Sequence, residues 1–170
     1  MASKPSTNFK PLPTLLSGED RSFGGDGLYV DLVPQRSWFS NVRSHVAPRE
    51  RDRLGRHVYR RADFRCEVCG AAGSLQAHER WRYEDAVGAQ TLIRLICLCE
   101  DCHTATHFGL ARVLGKDPVA MRHLCKVNRW TPLEAEAHVE GAFAEWRQRS
   151  MREWRLDMGI VERCGIQIRR

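Results

Sequence analysis

Cys66-Glu67-Val68-Cys69-Gly70 and, further along, Cys99-Glu100-Asp101-Cys102-His103-Thr104-Ala105-Thr106-His107 are the stretches on which the reading of this chain turns. They hold two Cys-x2-Cys pairs separated by 29 residues, 70–98. A tight turn at each pair aims two thiolates at one point, and four thiolates make the closed tetrahedral site that Zn²⁺ favours. Gly70, directly after the first pair, permits the backbone turn of a zinc knuckle. Cys97 shares a strand face with Cys99 and could replace it as a ligand, but the Cys-x2-Cys spacing favours Cys99. Cys125 and Cys164 fall outside the pattern and read as free or buried thiols.

A second set of ligand types is interleaved with the first. His103 follows Cys102, and His107 lies four residues later, so a helix beginning here presents both imidazoles on one face to one cation. His78, followed by Glu79, sits in a strand candidate between the cysteine pairs. Once zinc ties the ends together, that strand lies close to the start of the helix.

Outward from this centre the chain divides into an arm over 1–27, an extension over 28–57, the cysteine core over 58–115 and a helical region over 116–170. The arm is rich in Pro, Ser and Gly and reads as flexible or loosely draped. Gly27 to Val33 has a strand-like alternation that Pro34 ends. Pro48 to Ala62 is arginine-rich, with Leu54 and Val58 at helical spacing. Strands are expected at Leu75–His78 and Leu92–Leu98, then a helix from about Cys102 toward Leu114, ended by Gly115-Lys116. Asp117-Pro118 starts the next helix. Thr131-Pro132-Leu133-Glu134 is a capping box, and Val139, Ala142, Phe143, Trp146 and Trp154 then lie near one face of a long helix.

The 170 residues have a 42% hydrophobic share, sufficient for a core, and carry a net charge of +6. No run of about 18 apolar residues exists, so no membrane span is expected. Met1 to Lys10 lacks the apolar stretch of a secretory signal, which points to the cytoplasm and, with seven cysteines, to metal rather than disulfides. The charge is uneven: net +3 over 1–57, −1 over 58–110 and +4 over 111–170. Basic flanks around a near-neutral centre suit a polyanionic partner.

The pattern Cys66-x2-Cys69, His78, Cys99-x2-Cys102-His103-x3-His107 resembles the HNH (ββα-metal) endonucleases that carry a structural zinc, over roughly residues 60–110. More loosely, Ser37-Trp38-Phe39-Ser40-Asn41-Val42-Arg43, His78-Glu79-Arg80-Trp81 and Trp130 are similar to a bacterial group labelled only as HNH nucleases, over about 28–157. The resemblance implies an α+β fold: a small, treble-clef-like ββα-metal core flanked by helices. It implies His78 as general base, His103 and His107 as ligands of one catalytic divalent cation, and Cys66, Cys69, Cys99 and Cys102 around structural zinc. The implied activity is hydrolysis of phosphodiester bonds in DNA, double-stranded above all. Two positions depart from the family. Ala77 stands where a further ligand precedes the base, and Arg94 falls near the place of the central asparagine. Glu79 could supply the missing carboxylate, or His78 could be the ligand and Glu79 the base.

A neutral imidazole with pKa near 6.5 can accept a water proton at cellular pH. Mg²⁺ prefers oxygen ligands, so a site dominated by imidazoles would also accept Mn²⁺, Ni²⁺ or Zn²⁺. Arg60, Arg61, Arg80 and Arg82 near the site, and Arg147, Arg149, Arg152 and Arg155 beyond the long helix's midpoint, are the expected phosphate contacts. Trp38, Phe39, Trp81 and Trp130 read as core aromatics. The competing readings are a non-catalytic zinc module that binds nucleic acid or protein, and a nuclease subunit of a larger assembly. Double-strand cleavage calls for two active sites, which a homodimer supplies.

Overall fold

The structure, a computed structural model, describes residues 12–169. Its fold is α+β. A 3₁₀ turn at Gln35–Ser37 precedes a short helix α1 (Val42–His45) and the arginine-rich helix α2 (Pro48–Arg61). A hairpin of β1 (Leu75–Glu84) and β2 (Ala89–Cys99) follows. Then come α3 (Glu100–Thr106), α4 (Phe108–Val113), α5 (Asp117–Asn128), α6 (Pro132–Arg149), β3 (Arg155–Asp157) and α7 (Gly159–Glu162).

The hairpin is antiparallel, with Leu75 opposite Cys99 and His78 opposite Ile96, and β3 runs parallel to the start of β2. Both strands are longer than the alternation in the sequence suggests. The stretch Arg80 to Glu84 stays in the ladder, where Arg80 and Trp81 are buried and so are the β2 partners Arg94, Leu92, Gln90 and Ala89. A bulge between Arg80 and Trp81 leaves Ile93 unpaired, and its carbonyl accepts the backbone N–H of Asp20 instead.

β2 is buried along both faces because the sheet lies between two cores. Ile96 and Leu98 pack with Phe108, Leu124 and Val139 from the helices after the hairpin. Leu92, Leu95 and Cys97 pack with Leu54 and Val58 of α2 and with Ile160 and Val161 of α7. Each face of β2 therefore supports a different half of the molecule, which is why this strand reads as a nearly unbroken apolar run.

Several expectations change in three dimensions. Of the arm, residues 1–11 lie outside the described residues. Residues 12–27 are not a loose arm: Leu16 and Glu19 are buried against the second core. The alternation of Leu28, Val30 and Leu32 is real, since Leu28 and Val30 face the first core, but it builds no strand. The backbone bonds go elsewhere. Leu28 N–H donates to Asn128, Val30 N–H to His138 Nε2, and Asp31 N–H to the Thr106 carbonyl. The helix expected from Cys102 to Leu114 is two helices that meet at His107 (φ −87°, ψ 48°). Trp154 lies beyond α6 rather than on it; it is buried against Tyr83 and donates to the Arg149 carbonyl. Trp38 and Phe39 are not core residues, at 61% and 79% exposed. Trp81 is buried, and Trp130 packs on the first core beside His138. The capping box is present: Thr131 N–H donates to Glu134 at 2.7 Å and Glu134 N–H to the Thr131 hydroxyl at 3.3 Å. Among the described residues no helix is long and apolar enough to cross a membrane.

Candidate metal centres

After α2 the chain turns through Asp63 and Phe64, both with positive φ, into a loop where Gly70 N–H donates to the Cys66 carbonyl and Gly70 has φ +75°. That turn brings Cys69 back beside Cys66. At the other end of the hairpin, Cys99 is the N-cap of α3 and Cys102 lies in its first turn. The four Sγ atoms all lie within 4.8 Å of one another, with Cys69 and Cys99 at 3.5 Å. All seven cysteines are free thiols.

The donor set fits a single soft cation such as Zn²⁺. The loop is wired to favour anionic sulfur. A hydrogen bond from Cys102 brings the Cys66 thiol down to about 4 against the effect of burial, and the N–H groups of Cys69, Cys99 and Val68 act in the same direction. Burial pushes the Cys99 thiol up to about 11, and the hydrogen bond to Cys66, with burial, pushes Cys102 up. Four thiols this close cannot share more than a fraction of the negative charge they carry as thiolates unless a cation sits among them. Cys97 is no ligand. It points into the core on the α2 side, where burial pushes its thiol up to about 12.

One ligand-like contact was not legible in the spacing. His123 on α5 sets its Nε2 3.1 Å from Cys102 Sγ, positioned as an outer-shell hydrogen-bond partner of that sulfur. No local motif marks His123, because α5 is brought against α3 only by tertiary packing.

The three histidines do converge. His78 lies opposite Ile96 on the face of the hairpin toward α3, while His103 and His107 stand one turn apart at the end of that helix. Their ring nitrogens lie within 4.8 Å of one another, and the ring centroids are 4.5 to 5.5 Å apart. His78 is buried, and its Nε2 has no hydrogen-bond partner among the described residues. A buried ring nitrogen without a partner is costly unless a ligand satisfies it. Burial and the adjacent imidazoles of His107 and His103 hold His78 well below the usual histidine range, and burial brings His107 down to about 4. All three rings therefore keep a lone pair at neutral pH, free to bind a cation or to accept a proton. Three imidazole donors with one carboxylate nearby fit a divalent ion of the Mn²⁺ to Zn²⁺ series.

The carboxylate is Asp31. Its Oδ2 lies 4.0 Å from His78 Nε2, and burial raises its carboxyl to about 6. Asp31 takes the out-of-core position between Val30 and Leu32, and the Thr106 carbonyl fixes its backbone beside the end of α3. Glu79, expected to supply this carboxylate, does not join the group. It pairs with Leu95 on the opposite sheet face, accepts the Val42 N–H at 3.1 Å, and burial raises it to about 7. Its place is a tether between β1 and the start of α1. Arg94, near the position of the asparagine, is buried and donates to the Phe23 carbonyl.

The eight arginines expected to hold phosphate are scattered. Arg61 is buried in a two-pronged ion pair with Glu19 at 2.7 and 2.8 Å. Arg80 is buried and holds the Phe23 and Gly25 carbonyls, both at 3.0 Å. Neither has a free face for a phosphate, so these two assignments are corrected. Arg149 pairs with Glu145 and covers the Tyr83 ring, and Arg152 pairs with Asp85 over Trp154. Arg82 lies over the Phe23 ring, and Arg60, Arg147 and Arg155 are exposed. None of the eight lines the cleft of about 650 Å³ that contains His78, His103 and His107. That cleft passes around the edge strand β1, reaches α1 and α2, and is lined by Arg43, Arg51 and Arg56.

No protein-family model matches the chain, and no curated protein or solved structure matches it either.

Proposed function

We propose that this protein is a metal-dependent endonuclease of the HNH kind, which hydrolyses phosphodiester bonds in DNA. The observation that carries the reading is the convergence of His78, His103 and His107 within 4.8 Å at one end of an open cleft, with the buried Nε2 of His78 unpartnered. The neighbouring four-cysteine cluster supports it, because it anchors the hairpin and α3 to each other at the point where the histidines meet.

His103 and His107 would hold a divalent cation, Mn²⁺ in preference to Mg²⁺ because the protein donors are imidazoles. When bound, that ion neutralises the charge building on a phosphate oxygen and aids departure of the leaving oxygen. The chain's own groups do the remaining work. His78, neutral at cellular pH, accepts the proton of the attacking water on Nε2. Asp31, facing the same nitrogen, stabilises the imidazolium that results. Burial of the His78 ring raises the strength of its polar interactions. Cys66, Cys69, Cys99 and Cys102 hold zinc and take no part in proton transfer.

The test is plasmid cleavage by the purified chain with Mn²⁺ or Mg²⁺. Cutting by the wild type, and none by His103→Ala or His78→Ala variants that keep their zinc and their circular dichroism spectrum, is the expected result. Full activity in His78→Ala would sink the assignment of the base. An inert wild type across all these metals would favour the non-catalytic zinc module.

A further inference from the structure

The cleft has two ends of different chemistry. One end is the three histidines with Asp31, and the other is the side of α1 and α2 that carries Arg43, Arg51 and Arg56. None of these three guanidinium groups makes an ion pair among the described residues; Arg51 donates to the Arg43 carbonyl at 3.3 Å. Asp52 is the one acid of α1 and α2 that lines the cleft. A row of unpaired cations leading to a phosphodiester-cleaving group is complementary to a polyanionic backbone.

Two further features of the same wall point the same way. Gly55 lies between Arg51 and Tyr59 at helical spacing and also lines the cleft. Glycine inside a helix is destabilising relative to alanine. A Cβ there would meet nothing closer than the Tyr59 hydroxyl at 3.7 Å, so packing within the chain does not call for glycine. Glycine leaves this part of the wall without a side chain, so a bulky backbone can approach it. Trp38 and Phe39 are 61% and 79% exposed and directly precede Ser40 and Asn41, which line the cleft. Asn41 fixes that turn by donating to the Trp38 carbonyl and capping α1. Adjacent exposed aromatics on a fixed turn beside a cationic groove are a platform for bases, since every base offers a face to stack on.

We propose that the cleft is a polynucleotide groove in which Arg43, Arg51 and Arg56 hold successive phosphates and the Trp38–Phe39 turn stacks on an unpaired base. The favoured substrate is therefore DNA with unpaired bases beside the scissile phosphate, rather than uninterrupted duplex. This rests on the nuclease reading for its biological sense, but its test is a binding measurement that does not depend on cleavage.

The experiment uses the full chain carrying His103→Ala, with fluorescence anisotropy on a labelled single-stranded oligonucleotide and on a blunt duplex of the same sequence, across a salt series. Adding Arg43→Gln, Arg51→Gln and Arg56→Gln should weaken binding and lower the slope of log affinity against log salt by about 2 on the single strand. Arg60→Gln, on the same helix outside the cleft, should leave that slope unchanged. Trp38→Ala with Phe39→Ala should weaken single-strand binding about 5- to 150-fold per stacked base lost and leave the duplex within about 2-fold. An unchanged slope in the triple variant, an equal loss in Arg60→Gln, or equal losses on both substrates in the aromatic variant would each overturn the proposal. If binding follows these expectations while the wild type cuts nothing, the groove stands and the nuclease reading fails. If the wild type cuts and the cleft variants bind normally, the reverse holds.

Discussion

Asp31 and His78 face each other at 4.0 Å, His78 buried and Asp31 half-buried. Asparagine at position 31 keeps the shape and removes the charge. Because burial raises the Asp31 carboxyl to about 6, ionised Asp31 costs stability at neutral pH, and Asp31→Asn should leave the melting temperature unchanged or higher. If the proton acceptor is His78, the same variant should lose about 10- to 100-fold in cleavage rate, the usual cost of an outer-shell partner. A variant that melts lower and cleaves normally would make Asp31 a structural residue. The sulfur cluster gives an independent prediction. Wild type should carry about one tightly held zinc in the four-cysteine site, Cys66→Ser should lose it and unfold the hairpin–helix junction, and His103→Ala should keep it, all read by metal analysis and circular dichroism. The contrast between these residues shows what a sequence can disclose. The cysteines and the His103–His107 pair were legible because their spacing alone sets their geometry. Asp31 and His123 were not, because each reaches its site through a contact between distant segments that no spacing encodes.

At the level of elements, charge was the least legible property. Arginine is ordinarily a surface residue, yet Arg61 at the end of α2 is turned inward to Glu19. Glu19 in turn accepts the Leu95 N–H at 3.0 Å, and Arg61 donates to the Leu95 carbonyl, so one ion pair joins the arm, α2 and β2. Burial opposes ionisation of Glu19, but the hydrogen bonds from Arg61 and Leu95 and the charges of Arg61 and Arg21 prevail, and its pKa is lowered from 4.5. A lowered carboxyl contributes stability that is fully present above the unfolded value and is lost as pH falls through the folded one. Thermal melts should therefore show an acid limb below pH 4.5 that Glu19→Gln flattens. At neutral pH, Glu19→Gln leaves Arg61 buried without its partner and should cost about 3–5 kcal/mol, or about 6–20 °C in melting temperature. A loss under about 1 kcal/mol would show that the pair is screened like a surface bridge. On the same helix, Gly55→Ala removes a helix-interior glycine without a clash, so it should raise the melting temperature by about 1–4 °C.

For the whole molecule, the central question is whether the two cores are one cooperative unit. The sequence suggested a zinc core with attached segments, and two strands and a helix do follow in that order, the strands longer and the helix broken at His107. It could not show that β2 is shared. Leu95 faces α2 and α7, Ile96 faces α3 to α6, and both are buried, so neither half can open without exposing one face of the same strand. Residues from the extension, the cysteine core and the last helices also meet in a single cluster through Leu28, Ile96 and Val139. Leu95→Ala and Ile96→Ala should each cost about 2–5 kcal/mol. If β2 couples the cores, either substitution should lower hydrogen-exchange protection in α2 and α5 together, in one unfolding transition. If protection falls only in the helices on the substituted side, the cores are separable. The histidine-lined cleft would then lie across a movable joint, because one wall carries residues of α3 and the other residues of α2. A single transition instead means that the four-cysteine cluster, which clamps the end of β2 to α3, also fixes the arginine wall of α2 relative to the three histidines.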